Sequence, residues 1–239
     1  MVLNVLVMGE IGSGKSSVVN LLVGRNVAEI SSGTGVCTLK TTRHEATVES
    51  MKVHIWEVKG FNEPDSNTGK NLGKDTATLG MELGPILNAD ADAKVDVILL
   101  CMLGPKVKMT TTRIFESVSN VLGRHIPIVS VVTGLELEKE NIKNWWDRNQ
   151  KPLTRMGLQG TEHACITGLQ GTKYAAISKK SRESLVSILE DQYSRGGNTI
   201  SLESVLKEHI RQNGGYKKRT LMKQFKLDEG VAQRLLQRD

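Results

Sequence analysis

Nine residues near the start, GEIGSGKSS (Gly9–Ser17), restrict the fold of this chain more than any other stretch. An apolar run, VLNVLVM, precedes them and a helical pattern, SVVNLLVG, begins within them. Gly9, Gly14, Lys15 and Ser16 meet the pattern G-x-x-x-x-G-K-[ST], a strand–loop–helix unit that closes around phosphate. Glycines at 9, 12 and 14 allow successive backbone N–H groups to turn inward as an anion nest, and the head of the helix adds positive potential. Lys15 is placed for the β- and γ-phosphates, Ser16 offers its hydroxyl to Mg²⁺, and Ser17 continues the cradle. The chain is therefore expected to bind a nucleotide.

The rest of the sequence supplies the sheet that such a loop needs. Strand-like apolar runs occur at Val2–Met8, Thr47–Val58 (split near Glu49–Met51), Val95–Leu103, Ile126–Thr133 and His163–Thr167. Helical patterns lie between them at Ser16–Val23, Thr76–Leu87, Thr110–Leu122, Asn141–Arg148 and Ser181–Tyr193. This alternation predicts a three-layer α/β P-loop domain with a mostly parallel central sheet. The continuous apolar character of VDVILLCML and IPIVSVV suits central strands covered on both faces. Gly24–Thr42 and Phe61–Asp75 carry no period and read as loops, the second a mobile one.

Length bounds the remainder: 239 residues suit one ordinary domain and a short appendage. Residues 1–195 are read as the nucleotide domain and 196–239 as a basic helical tail. From Arg195 onward ten Lys/Arg face five Asp/Glu, so the tail holds +5 of the net +6. Two amphipathic segments are expected there, Leu202–Gln212 and Leu221–Gln237, the second broken near Leu227–Asp228. Docking on the main domain is the plainer expectation for them, and a membrane-surface or partner contact through the basic face the sharper one. Nucleic acid is disfavoured, because aromatic and basic residues do not interleave. Cys37, Cys101 and Cys165 form no close pair, which speaks for a reducing compartment and against a disulfide framework or zinc site. With no signal peptide, lipidation motif or long apolar run, the expectation is a soluble cytoplasmic protein.

Further stretches in order, GVCT, WEVKGF, VVTGLE, NWWDRN and HACITG, make the chain resemble the TRAFAC class of P-loop GTPases. Within it the likeness is to the septin-like branch of immunity-associated (AIG-type, GIMAP-like) GTPases and related fungal G-domain proteins. The resemblance implies GTP/GDP and Mg²⁺ as ligands and slow GTP hydrolysis, stimulated by a partner or a second copy. It makes Thr38, 23 residues after Lys15 and 19 before Glu57, the switch threonine on Mg²⁺ and the γ-phosphate, with Thr41 and Thr42 as competitors. EVKG stands where D-x-x-G is usual, so Glu57 would hold the Mg²⁺ shell and the Gly60 N–H would meet the γ-phosphate. Lys15, Thr38 and Gly60 are the groups assigned to the chemistry.

On the base side, Thr133-Gly134-Leu135-Glu136 stands for [NT]-K-x-D. Glu136 keeps the base-reading carboxylate and Gly134 lacks the stacking lysine. Thr167-Gly168 is the first candidate for the last base contact and Ser178-Lys179 the second. Of Trp145 and Trp146, one is expected in the core, with a groove or interface as the lesser alternative for the other. The five histidines share no ligand spacing and read as surface or structural residues. The competing readings are a non-catalytic nucleotide-holding scaffold and an ATP-using P-loop enzyme.

Overall fold

In the computed structural model the described residues are 1–29, 40–61, 76–138, 142, 144–169, 172–196, 199–213 and 215–237. Most of the two stretches read as loops, and Cys37 with them, lies outside these residues. One sheet is built from β1 (Val2–Gly9), β2 (Thr42–Val48), β3 (Met51–Glu57), β5 (Val97–Leu103), β6 (Ile128–Thr133) and β7 (Glu162–Cys165). The short β4 (Lys94–Val95) stands apart from it. Across the sheet the order is β2-β3-β1-β5-β6-β7. All neighbours run parallel except β2, which forms an antiparallel hairpin with β3 through a turn at Glu49, φ 51°. The fold class read from the sequence is the one observed.

Alternation along β1 builds two cores at once. Leu3, Val5 and Val7 point to the side of α1 (Lys15–Val23) and α5 (Ala175–Ser194), where Val18, Val19, Leu22, Leu185 and Leu189 meet them. Leu6 and Met8 point to the opposite side. There α2 (Thr76–Ala89), α3 (Met109–Val121) and α4 (Asn144–Arg155) contribute Leu79, Leu83, Phe115, Val118 and Trp145. β6 is buried along its whole length, and β5 nearly so, as strands covered on both faces must be. Edge strand β2 alternates exposed and partly buried residues until Val48.

Several boundaries differ from the sequence reading. β2 begins at Thr42 rather than Thr47, α4 runs from 144 to 155 rather than 141 to 148, and α5 starts at Ala175 rather than Ser181. α4 continues through Pro152 because Trp145 and Trp146 before it and Leu153 after it are all buried. The alternative that one tryptophan would lie at a groove or interface is corrected: Trp145 is 6% and Trp146 5% exposed. Trp146 meets its second face by stacking on His163, ring centroids 4.2 Å apart and 8° from parallel.

The tail enters through a two-stranded ribbon, β4 with β8 (Ile200–Ser201), then forms α6 (Leu202–Gln212), α7 (Lys218–Gln224) and α8 (Glu229–Leu236). Leu202, Val205, Leu206, Ile210, Leu221, Phe225, Val231 and Leu235 join the α2–α3 side of the core. The apolar stripe of the tail thus turns inward, and these side chains are not available to a membrane surface.

Its largest fully buried side chain, Phe225, packs against α2. Gly80 and Gly84, one helical turn apart, make the room. A Cβ on Gly80 would stand 2.5 Å from the Phe225 ring, and one on Gly84 1.9 Å from the Phe225 carbonyl oxygen. Asn88, a turn further on, donates to the Lys226 carbonyl and accepts from the Asp228 N–H, at 2.9 and 3.0 Å. Phe225→Ala is expected to cost roughly 3–5 kcal/mol, the range for emptying a buried aromatic site. Chemical denaturation checks this, and an unchanged midpoint would mean that the tail unfolds separately from the rest. Among the described residues no helix is long and apolar enough to cross a membrane.

Candidate functional site

The loop from β1 to α1 has the conformation its glycines suggest: Gly9, Gly12 and Gly14 all hold positive φ, and Gly14 caps α1 in the left-handed region. Lys15 is 4% exposed and folds back over the loop. Its Nζ donates to the carbonyls of Glu10 and Gly9 at 2.9 and 3.3 Å. Glu10 in turn accepts from the Thr110 and Thr111 hydroxyls at 2.5 and 2.8 Å, which ties the loop to the head of α3.

The end of β3 meets this loop edge-on. Phe61 N–H donates to the Gly9 carbonyl and Ile11 N–H to the Phe61 carbonyl, at 3.2 and 3.1 Å. Gly60 is thereby held directly beside Ile11, with no room for a side chain: a Cβ would fall 2.7 Å from Ile11 Cγ1. Glu57, at the last position of β3, is 3% exposed, and Ser16 Oγ donates to its Oε1 at 2.6 Å. A hydroxyl and a carboxylate converging at the head of α1 form an oxygen donor set that fits a hard divalent cation. His44 Nε2 lies 3.3 Å from the other carboxylate oxygen. Nothing in the sequence reading singled out that histidine.

Thr38 lies outside the described residues. Of its two competitors, Thr41 accepts the Lys59 N–H at 3.2 Å, and Thr42 is exposed at the start of β2. Glu82, on α2, is buried, and burial raises its carboxyl pKa while the charges of Lys59, Lys226 and Lys15 pull it down. Burial likewise pushes Cys101, behind the loop, up to about 12, a thiol with no thiolate character at neutral pH.

On the other flank, Thr133 Oγ1 donates to the Ser13 carbonyl at 2.9 Å and so locks β6 to the phosphate loop. Gly134 follows at φ 75°, and a Cβ there would stand 2.4 Å from Leu103 Cδ1. A lysine in this place would be strained by the positive φ and would have to push the end of the Leu103 side chain aside, which favours glycine here over the usual lysine. Beyond it the Thr167 hydroxyl donates to Glu136 Oε2 at 3.4 Å. The Gly168 backbone lies against α1, since a Cβ on Gly168 would come within 2.6 Å of Ser17 Cβ. Thr133, Glu136, Thr167, Gly168 and Ser17 thus gather beside one helix head. Ser178 and Lys179 instead lie inside α5.

A model of the 50S ribosome-binding GTPase family matches residues 4–134. No curated protein matches the chain. Among solved structures it is similar to Toc33 from Arabidopsis thaliana in complex with Mg²⁺ and GMPPNP, 15% identical, with a TM-score of 0.57 over 84% of this chain and 88% of that one. It is also similar to a point variant of Aquifex aeolicus Era bound to GDP·AlF4⁻, 18% identical, TM-score 0.52, covering 78% of this chain and 56% of the other. The chain thus spans a little over half the length of that Era protein, and likeness at such identity is likeness of fold. The family match covers more than half of the residues, from the first strand to the glycine beyond β6, and by that match the chain belongs to the 50S ribosome-binding GTPase family.

Proposed function

We propose that this protein binds GTP and GDP with Mg²⁺ and hydrolyses GTP slowly, as a molecular switch or assembly cue of the septin-like kind, in the reducing cytoplasm. The observation that carries the reading is convergence on one helix head. Lys15 and Ser16 stand there, Glu57 reaches Ser16 from β3, and Glu136 with Thr167 approaches from the far side of α1. In this reading Gly9, Gly12, Gly14 and Lys15 cradle the phosphates. Gly60 donates its N–H to the γ-phosphate, and Thr133, Glu136, Thr167 and Gly168 frame the base. Ser16, Glu57 and, from the sequence alone, Thr38 would hold Mg²⁺, which neutralises charge on the β- and γ-oxygens.

The surface around the site suits a partner or a second copy. Among the described residues the exposed large apolar side chains include Ile11 and Met109 near the phosphate loop, and Leu137 and Leu169 beside the base residues. Leu137 is the most exposed of them, at 85%. Nucleotide extracted from freshly purified protein and identified by chromatography tests the whole reading. GTP or GDP is the expected content, and protein that carries none and takes up none would overturn it.

Gly134 favours one qualification, weak discrimination between bases. A site that hydrogen-bonds its substrate discriminates by about 10⁴, but here no lysine stem covers the ring. A guanine preference well below that figure is expected, and Glu136→Ala should erase it. Competition of GTP and ATP for one site reads both. ATP that competes equally in wild type and mutant would point to an ATP-using enzyme.

A further inference from the structure

The contact between His44 and Glu57 gives the unusual acid a reason, and the inference rests on the nucleotide-site reading above. Thr42 stands opposite Glu57 in the β2–β3 ladder, and His44 stands opposite Ile55. His44 and Glu57 therefore share one face of the hairpin as diagonal neighbours. Diagonal Cα atoms lie about 7–8 Å apart, within reach of long side chains only. Glu57 spans that gap. One of its oxygens accepts from the Ser16 hydroxyl at 2.6 Å, and the other lies 3.3 Å from His44 Nε2. A carboxylate only accepts hydrogen bonds, so the imidazole donates through Nε2. Both side chains are well shielded, 11% exposed for His44 and 4% for Glu57.

We propose that His44 is a positioning residue for the magnesium site, and that Glu57 works there as a glutamate because His44 holds its far oxygen. An aspartate, one methylene shorter, would have to release either the histidine on β2 or the serine on α1. The carboxylate would then swing, and the geometry that Mg²⁺ demands would loosen. Partners that orient metal-site carboxylates typically account for about 10- to 100-fold in metal affinity. His44 thus supplies to this site the orientation that a shorter acid would obtain from its own stem.

The test is a set of four variants: His44→Leu, His44→Gln, Glu57→Asp and the double variant His44→Leu/Glu57→Asp. For each, affinity for a fluorescent GTP analogue is measured across Mg²⁺ concentrations and again in EDTA, with thermal unfolding as the control for folding. His44→Leu should raise the Mg²⁺ midpoint about 10- to 100-fold while the affinity in EDTA stays near wild type. His44→Gln, which keeps an N–H at similar reach, should recover most of the loss. Glu57→Asp should weaken Mg²⁺ in the wild-type background but add little in the His44→Leu background, because the two changes break one link.

A wild-type Mg²⁺ midpoint in His44→Leu would overturn the proposal. So would losses from His44→Leu and Glu57→Asp that simply multiply. Wild-type protein that binds no GTP analogue with or without Mg²⁺ would remove the nucleotide reading itself, and this inference with it.

Discussion

Replacing Lys15 by alanine is expected to abolish GTP binding at ordinary concentrations while the fold survives. The ammonium is 4% exposed and already surrounded by loop carbonyls, so it stands desolvated where the phosphates would come. Losing one partner of such a buried charge pair costs about 2–5 kcal/mol, which corresponds to roughly 30- to 5000-fold in affinity. The nest amides alone cannot replace it, because they carry only partial charge. Stability should change less, since the buried Gly9 carbonyl keeps its bond from the Phe61 N–H and the Glu10 carbonyl is only partly buried. Titration of a fluorescent GTP analogue against wild type and mutant, with circular dichroism on both, gives the answer. Equal affinities would remove the phosphate loop from the account.

Turnover by the isolated protein should be as slow as that of Ras alone, about 10⁻⁴ s⁻¹, or slower. In Ras-like enzymes a glutamine follows the glycine that corresponds to Gly60 and orients the attacking water. Here Phe61 follows, its side chain is 3% exposed within the core, and its N–H is engaged by the Gly9 carbonyl. Among the described residues the loop amides and Lys15 stand where charge develops in phosphoryl transfer, and a bound Mg²⁺ would add to them. A group supplied in trans can raise the rate by about 10⁵. Phosphate release per molecule should therefore climb with protein concentration, or on addition of a partner. Rapid release independent of concentration, in protein free of contaminating phosphatase, would place the missing group within this chain.

The phosphate loop, the sheet and both tail segments could be read from the residues, because each announces itself locally. Glycine spacing marks the loop, unbroken apolar runs mark β5 and β6, and apolar residues at helical spacing mark α6. What could not be read depends on neighbours distant in sequence. The first five residues of β2, TRHEA, are mostly polar because the strand forms a sheet edge, so they carry no strand signal and His44 falls between the loop and strand that the sequence predicts. Extending the alternation back from Val48 would have put Thr42 and His44 on one face, and with them the third partner of the Ser16–Glu57 pair. Gly134 reads in the sequence as a missing lysine; its φ of 75° makes it a position that favours glycine, which no neighbour in sequence announces. The second tryptophan is buried because His163, on a different element, covers its ring.

The seat of Phe225 on α2 also fixes an order of events during synthesis. Gly84 and Phe225 are separated by about 140 residues, which a ribosome adds over on the order of ten seconds. Through that interval β1, β3, β5 and β6 can already assemble around α1, but one face of α2 has nothing to cover it. A chain that assembles its sheet during synthesis would hold this apolar helix face open to solvent until the tail arrives. Chaperone engagement should fall within that window and end as residues 221–235 emerge.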